Sequence, residues 1–187
     1  MQAGAERLVA TAMRNRINRA LLSRLPSLGL EQCFLVAGCL FQAVWNRVAG
    51  EAPVWGVKDY DVFYFDPDLS WEAEDAVIRR AAPLLADLGV SVEFKNQARV
   101  HVWYERRFGH AYPQLRSSED GIDRFLVACT CVGIEVGTGR VYAPYGLGEM
   151  ERGVLRVNPL TAQPGLFAAK AAAYRARWPW LRVIERE

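Results

Sequence analysis

The sequence predicts a single α/β domain with a mixed central sheet flanked by helices. Three observations predict it. A wholly apolar run at 33–37 is followed by Gly38 and a helical stretch. A second strand, 57–65, opens on Asp59 and Asp61 and leads into a long helical stretch and an alternating strand. Internal repeats, low-complexity tracts and long linkers are lacking, and 187 residues suffice for one well-buried core.

The elements follow in chain order. Residues 5–25 set Leu8, Val9, Ala12, Ile17, Leu21, Leu22 and Leu25 at helical spacing, with arginines between them and Pro26 as the stop. The run 33–37 suits a strand buried on both faces, and 40–48 continues as a helix. Ser70 is the expected N-cap of a helix over 71–88, whose first turns carry Glu72, Glu74 and Asp75. Ala76, Val77, Leu84, Leu85 and Leu88 form its expected buried face. Pro83 predicts a kink or a break, and Gly89 the end. Residues 90–95 alternate, with Val90, Val92 and Phe94 on one face and Ser91, Glu93 and Lys95 on the other. Residues 99–104 are expected to return as the hairpin partner, so that Arg99, His101 and Trp103 share a face. After a loop at 108–113, Ser117 or Ser118 caps a short helix. A hairpin of 129–136 with 140–143, a short helix near 148–154 and a last helix over 164–178 complete the chain. The last helix carries Leu166, Phe167, Ala169, Ala173 and Trp178 as its packing face. The single domain, 1–187, thus has an N-terminal helical segment, 1–29, and a C-terminal helical one, 160–187.

Composition excludes several classes. With 23 Lys and Arg against 21 Asp and Glu, the net charge of +2 is too small to argue nucleic-acid binding by itself. Lysine occurs only as Lys58, Lys95 and Lys170. The chain lacks the long apolar stretch of a transmembrane span, and its start lacks the pattern of a signal peptide. Cys33, Cys39, Cys129 and Cys131 show no C-x-x-C spacing. They are expected as buried free thiols in a reducing compartment, with Cys129 and Cys131 on one strand face, and the protein as cytoplasmic.

The chemistry centres on Asp59 and Asp61. Residues two apart on a strand share a face, so both carboxylates point the same way. Two such charges repel unless a cation lies between them, which suggests Mg²⁺ or Mn²⁺ acting on a phosphate. Phosphoryl chemistry with metals calls for a further acid, and Glu93, on the polar face of the next strand, is the best candidate. Asp123 and Glu135 are alternatives. Gly38, between a strand and a helix, gathers backbone N–H groups at one point and favours an anion. Arg116 beside Ser117 and Ser118 offers a second anion contact. His101 is a candidate proton carrier or substrate ligand, and Trp55, Tyr60, Trp103 and Tyr112 are candidates for stacking a base.

This order of parts resembles the nucleotidyltransferase superfamily: an apolar strand, a small-residue turn into a helix, D-h-D on the next strand, and an acid on a later one. Here the parts are Leu35-Val36-Ala37-Gly38-Cys39, Asp59-Tyr60-Asp61-Val62 and Glu93. The resemblance is closer to a small bacterial group of nucleotidyltransferase-like proteins, over about 30–160. It is carried by Val57-Lys58-Asp59-Tyr60-Asp61, the run from Asn96 to Tyr104, Arg116-Ser117-Ser118, Ile122-Asp123-Arg124-Phe125 and Val141-Tyr142-Ala143-Pro144-Tyr145-Gly146. It implies the minimal fold of that superfamily, with Asp59, Asp61 and Glu93 as metal-binding and catalytic residues. Gly38 and Cys39 would approach a triphosphate through backbone N–H groups, with Lys58, Arg116 and Ser117 as further nucleotide contacts. The implied reaction moves a nucleoside monophosphate from an NTP to an acceptor that is RNA, protein or a small molecule. Cys39 stands where Ser or Gly is usual, and the interval from Gly38 to Asp59 is longer than usual. Two alternatives stay open: a non-catalytic binding module, and a metal-dependent nuclease using Glu93-Phe94-Lys95 as an E-x-K step.

Overall fold

The computed structural model describes residues 2–109, 111–161 and 163–184. His110 of the expected loop at 108–113 lies outside them, as do Met1, Ala162 and 185–187 at the margins of the expected terminal segments. Among the described residues a five-stranded mixed sheet has the order β3-β2-β1-β4-β5, with strands β1 (Phe34–Val36), β2 (Asp59–Tyr64), β3 (Ser91–Asn96), β4 (Gly133–Glu135) and β5 (Val141–Tyr142). β2 and β3 run parallel across the helix α4 (Trp71–Leu85); the other neighbours are antiparallel.

Alternation along the strands divides the sheet into two faces. On one, Leu35, Tyr60, Val62, Tyr64 and Phe94 join the main core with residues of α1 (Gln2–Ala12), α2 (Arg16–Arg24), α3 (Gly38–Ala49), α4 and α8 (Pro164–Arg177). On the other, Phe34, Val36 and Phe63 meet Ile122 and Cys131 in a much smaller cluster. That face is only partly covered, and Asp59 and Asp61 project from it by the same period of two.

Local chemistry explains most element ends. Ser70 and Ser117 are the N-caps of α4 and of α6 (Ser118–Ile122), each accepting an N–H bond with its side chain. The expected helix over 5–25 is two helices, because the Asn15 side chain accepts from Ile17 and Asn18 and starts α2 afresh. The break expected at Pro83 does not divide α4. Pro83 is exposed in the last turn, and the helix runs to Leu85 before a 3-10 turn. Ala76 is exposed, and Glu74 and Ala81 take its expected place inside. Val90 precedes β3 and is exposed.

The largest correction concerns 99–104. These residues do not return as a hairpin strand. Asn96 accepts from the Ala98 N–H at 3.1 Å, a 3-10 turn follows over Gln97–Arg99, and α5 (Val100–Phe108) continues from it. The β-branched valines made the run look extended, but in the helix Val100 is buried while Val102 is exposed. Arg99, His101 and Trp103 therefore share no strand face. Likewise, Cys129 lies in a 3-10 turn over Ala128–Thr130 that precedes β4, so the two cysteines share no strand face, although all four thiols are free and buried.

Downstream, α7 (Gly148–Glu151) leads into β6 (Val154–Leu155), which pairs in parallel with β7 (Arg182–Val183), a strand not anticipated from the sequence. Phe167, Ala171, Tyr174 and Trp178 anchor α8, while Leu166, Ala169 and Ala173 are exposed. No helix among the described residues is long and apolar enough to cross a membrane.

Candidate active site

A cleft of about 910 Å³ opens on the partly covered face of the sheet. Its floor comes from the start of β2 and the middle of β3. Asp61 is the Cα partner of Glu93 in the parallel register, and Lys95 lies two residues further on the same face. Asp59, Asp61, Phe63, Glu93 and Lys95 all line the cleft. The Lys95 Nζ stands between two carboxylates, 2.8 Å from Asp61 Oδ1 and 2.9 Å from Glu93 Oε2. Burial pushes the Asp61 carboxyl above its usual range, and Asp59 and Glu93 add to the rise while Lys95 opposes it. Burial acts to lower the Lys95 ammonium, but Asp61 and Glu93 outweigh it and hold the amine protonated.

The turn from β1 into α3 forms one end of the cleft. Ala37, at the N-cap, has φ 61° and ψ −134°, and no side chain caps the helix. The N–H groups of the first helical turn have no partner within a helix, and of this turn Ala37 and Gly38 line the cleft whereas Cys39 is buried. A Cβ at Gly38 would lie 2.6 Å from Gln42 Nε2, so the end of that flexible side chain would have to shift to admit one. The Cys39 side chain points into the core and its thiol donates to the Val36 carbonyl at 3.3 Å. Burial, then Asp61, drives its pKa well up and keeps it neutral.

Two helices wall the cleft. From α5 and the segments after it come Trp103, Tyr104, Phe108, Tyr112 and Arg124; Tyr104 and Tyr112 have ring centroids 4.2 Å apart, and the Arg124 guanidinium lies over the Tyr112 ring. From α8 come Lys170, Tyr174 and Arg177, with Arg177 donating to the Gly56 carbonyl at 2.9 Å. Lys58, Lys95, Arg124, Lys170 and Arg177 outnumber Asp59, Asp61 and Glu93 in the lining, a balance that suits a polyanion more than a cation alone.

Of the residues expected from the sequence, Gly38, Lys58, Asp59, Asp61 and Glu93 meet in this cleft, with Trp103 and Tyr112. Arg116 and Ser117 are not among its lining residues. Their backbone and side chain serve α6, where the Arg116 N–H reaches Asp120 at 2.7 Å and Ser117 caps. Asp123 accepts from the Tyr142 hydroxyl and Glu135 from Arg140, and neither lines the cleft. Tyr60 is buried, bonded to Asn15, and Trp55 packs against Trp178. His101 has a buried Nδ1 without a partner among the described residues and is outside the lining. Lys170, Tyr174 and Arg177 were missed; their i, i+4, i+7 spacing marks one helical face, but only packing tells which way that face looks.

The donor chemistry fits a hard divalent cation. Asp59, Asp61 and Glu93 offer only carboxylate oxygens, the set that Mg²⁺ and Mn²⁺ take, and the cysteine sulfurs are sequestered in the core. As the side chains stand, no three His, Cys, Asp or Glu among the described residues converge closely enough to hold a metal together, and the Lys95 ammonium lies between Asp61 and Glu93.

Asp59 and Asp61 thus open a strand beside an apolar strand that turns into a helix without a side-chain cap, and Glu93 stands in register with Asp61 on the next strand. The chain belongs to a nucleotidyltransferase family, whose model matches residues 23–183. Among solved structures, one described as "The NMR structure of the protein reveals a CCA-adding enzyme head domain" is similar over 97% of this chain and 96% of that one. Its TM-score is 0.74 at 22% identity, a likeness of fold. Among curated proteins no match is found.

Proposed function

We propose that the protein is a metal-dependent nucleotidyltransferase that moves a nucleoside monophosphate from an NTP to the hydroxyl of an acceptor. The observation that carries this reading is the convergence of Asp59, Asp61 and Glu93 with the start of α3 on one cationic cleft. Asp59, Asp61 and Glu93 would hold Mg²⁺ or Mn²⁺, which when bound supplies charge neutralisation at the phosphate oxygens. The N–H groups at Gly38 and Cys39, with Lys58, would bind the triphosphate. Glu93, with 47% of its side chain exposed, would accept the proton of the attacking hydroxyl. Trp103 and Tyr112 offer faces for a base, and Lys170 a cation to the leaving pyrophosphate. Catalysis on this plan is positioning and electrostatics. The solved relative's description as a CCA-adding enzyme head domain puts an RNA end first among acceptors to try, before proteins and small molecules.

The test is calorimetric titration of ATP, GTP, CTP and UTP, with and without Mg²⁺. The expected outcome is Mg²⁺-dependent binding of at least one nucleotide, lost in the Asp59→Asn, Asp61→Asn double variant. Binding that survives in that variant removes the two aspartates from the site. The contact of Lys95 with both Asp61 and Glu93 favours, as a second reading, a metal-dependent nuclease. Cleavage of DNA in the same Mg²⁺ buffer with no NTP added would select it.

A further inference from the structure

The position of Lys95 follows from register. Asp61 and Glu93 are paired across β2 and β3, and the side chain two residues beyond Glu93 returns on the same face to lie between them. Its Nζ is 2.8 Å from Asp61 Oδ1 and 2.9 Å from Glu93 Oε2, both charge-assisted contacts. A divalent cation held by Asp61 and Glu93 would need the space between their carboxylate oxygens. That point is the one the ammonium fills, and two positive charges cannot share it. The side chain has somewhere to go: it is 35% exposed, its four-carbon stem is flexible, and it lines the cleft.

We infer that Lys95 is a displaceable counter-ion, which holds Asp61 and Glu93 together and yields its place to the divalent cation. This inference rests on the metal-dependent reading above. Two consequences follow. Lys95 weakens metal binding by competing for its ligands, so the metal is captured best when something else takes up the amine. The released ammonium then faces the cleft, where an anionic phosphate would accept it. Metal and nucleotide would thus bind more tightly together than either alone, because each relieves what opposes the other.

Binding of Mn²⁺ to the full chain, followed by the loss of the free-ion EPR signal, tests the first consequence. Lys95→Met is expected to bind Mn²⁺ at least tenfold more tightly than wild type. Lys58→Met, which removes a charge beside Asp59 without breaking this bridge, is expected to change the affinity far less. Acetylation of the wild-type protein provides a readout that needs no folded variant, because the sequence holds only three lysines, Lys58, Lys95 and Lys170. Saturating Mn²⁺ is expected to raise labelling of Lys95 severalfold relative to Lys170. Equal Mn²⁺ affinity in wild type and Lys95→Met, equal gains in the two variants, or unchanged labelling of Lys95 would overturn the inference while leaving the metal site standing. No Mn²⁺ binding by wild type or variants would overturn the metal-dependent reading with it.

Discussion

Ala37 is the residue on which the β1–α3 turn depends. Its φ of 61° with ψ −134° is a conformation that side chains with a Cβ seldom adopt, and holding one there costs about 1–3 kcal/mol. Neighbours hold it: its N–H donates to Val132, and its carbonyl accepts from Leu40 and Phe41 at 3.0 and 3.3 Å. The turn brings the start of α3 against the cleft, so the strain accompanies the site. Ala37→Gly relieves it and is expected to raise stability by about 1 kcal/mol, after allowance for the greater freedom of glycine in the unfolded chain. A urea midpoint that falls or stays constant would show that the turn carries no such strain. At Cys39, where the sequence departs from a Gly-Ser or Gly-Gly turn, the side chain is turned into the core, and the strained position is the alanine two residues earlier.

At the scale of elements, the joint between α4 and α5 decides the aromatic wall. Glu74 and Arg99 are 6% and 8% exposed and form an ion pair. Glu74 also accepts the Asn96 N–H at 2.9 Å, and Arg99 donates to the Leu69 carbonyl at 3.1 Å. Removing one partner of a buried pair leaves the other charge uncompensated, at a cost of about 3–5 kcal/mol. Arg99→Ala is therefore expected to lower stability by about 3 kcal/mol, read as a lower urea midpoint at an unchanged slope. A loss below about 1 kcal/mol would place the pair in the range of surface ion pairs. This joint is also why α5 was not legible. The alternation Val100, Val102, Tyr104 is as compatible with a strand as with a helix, and the deciding contacts come from Glu74, twenty-five residues upstream of Arg99. By contrast, the caps act within three residues, so Ser70 was legible outright and Ser117 as one of two adjacent serines.

Across the whole molecule, α8 folds back onto α3 and so gives the cleft one of its walls. Trp178 is fully buried, its ring centroid lies 5.2 Å from that of Trp45, and its indole N–H donates to Asn46 at 2.9 Å. Trp178→Ala is expected to cost about 3–5 kcal/mol. It should also weaken nucleotide binding under conditions where the variant remains folded, since Lys170, Tyr174 and Arg177 form one wall of the cleft. Nucleotide affinity equal to wild type in the folded variant would remove α8 from the site.

The α/β class, the Asp59–Asp61 face, the position of Glu93 on the next strand and most helix starts are legible in the residues themselves, because strand alternation and side-chain caps act over a few residues. Only in the folded chain does Lys95 come to stand between Asp61 and Glu93, do α5 and α8 rather than the 116–117 turn wall the cleft, and does Cys39 face the core. Those outcomes depend on inter-strand register and on which helical face is buried, both set by contacts between residues far apart in the chain.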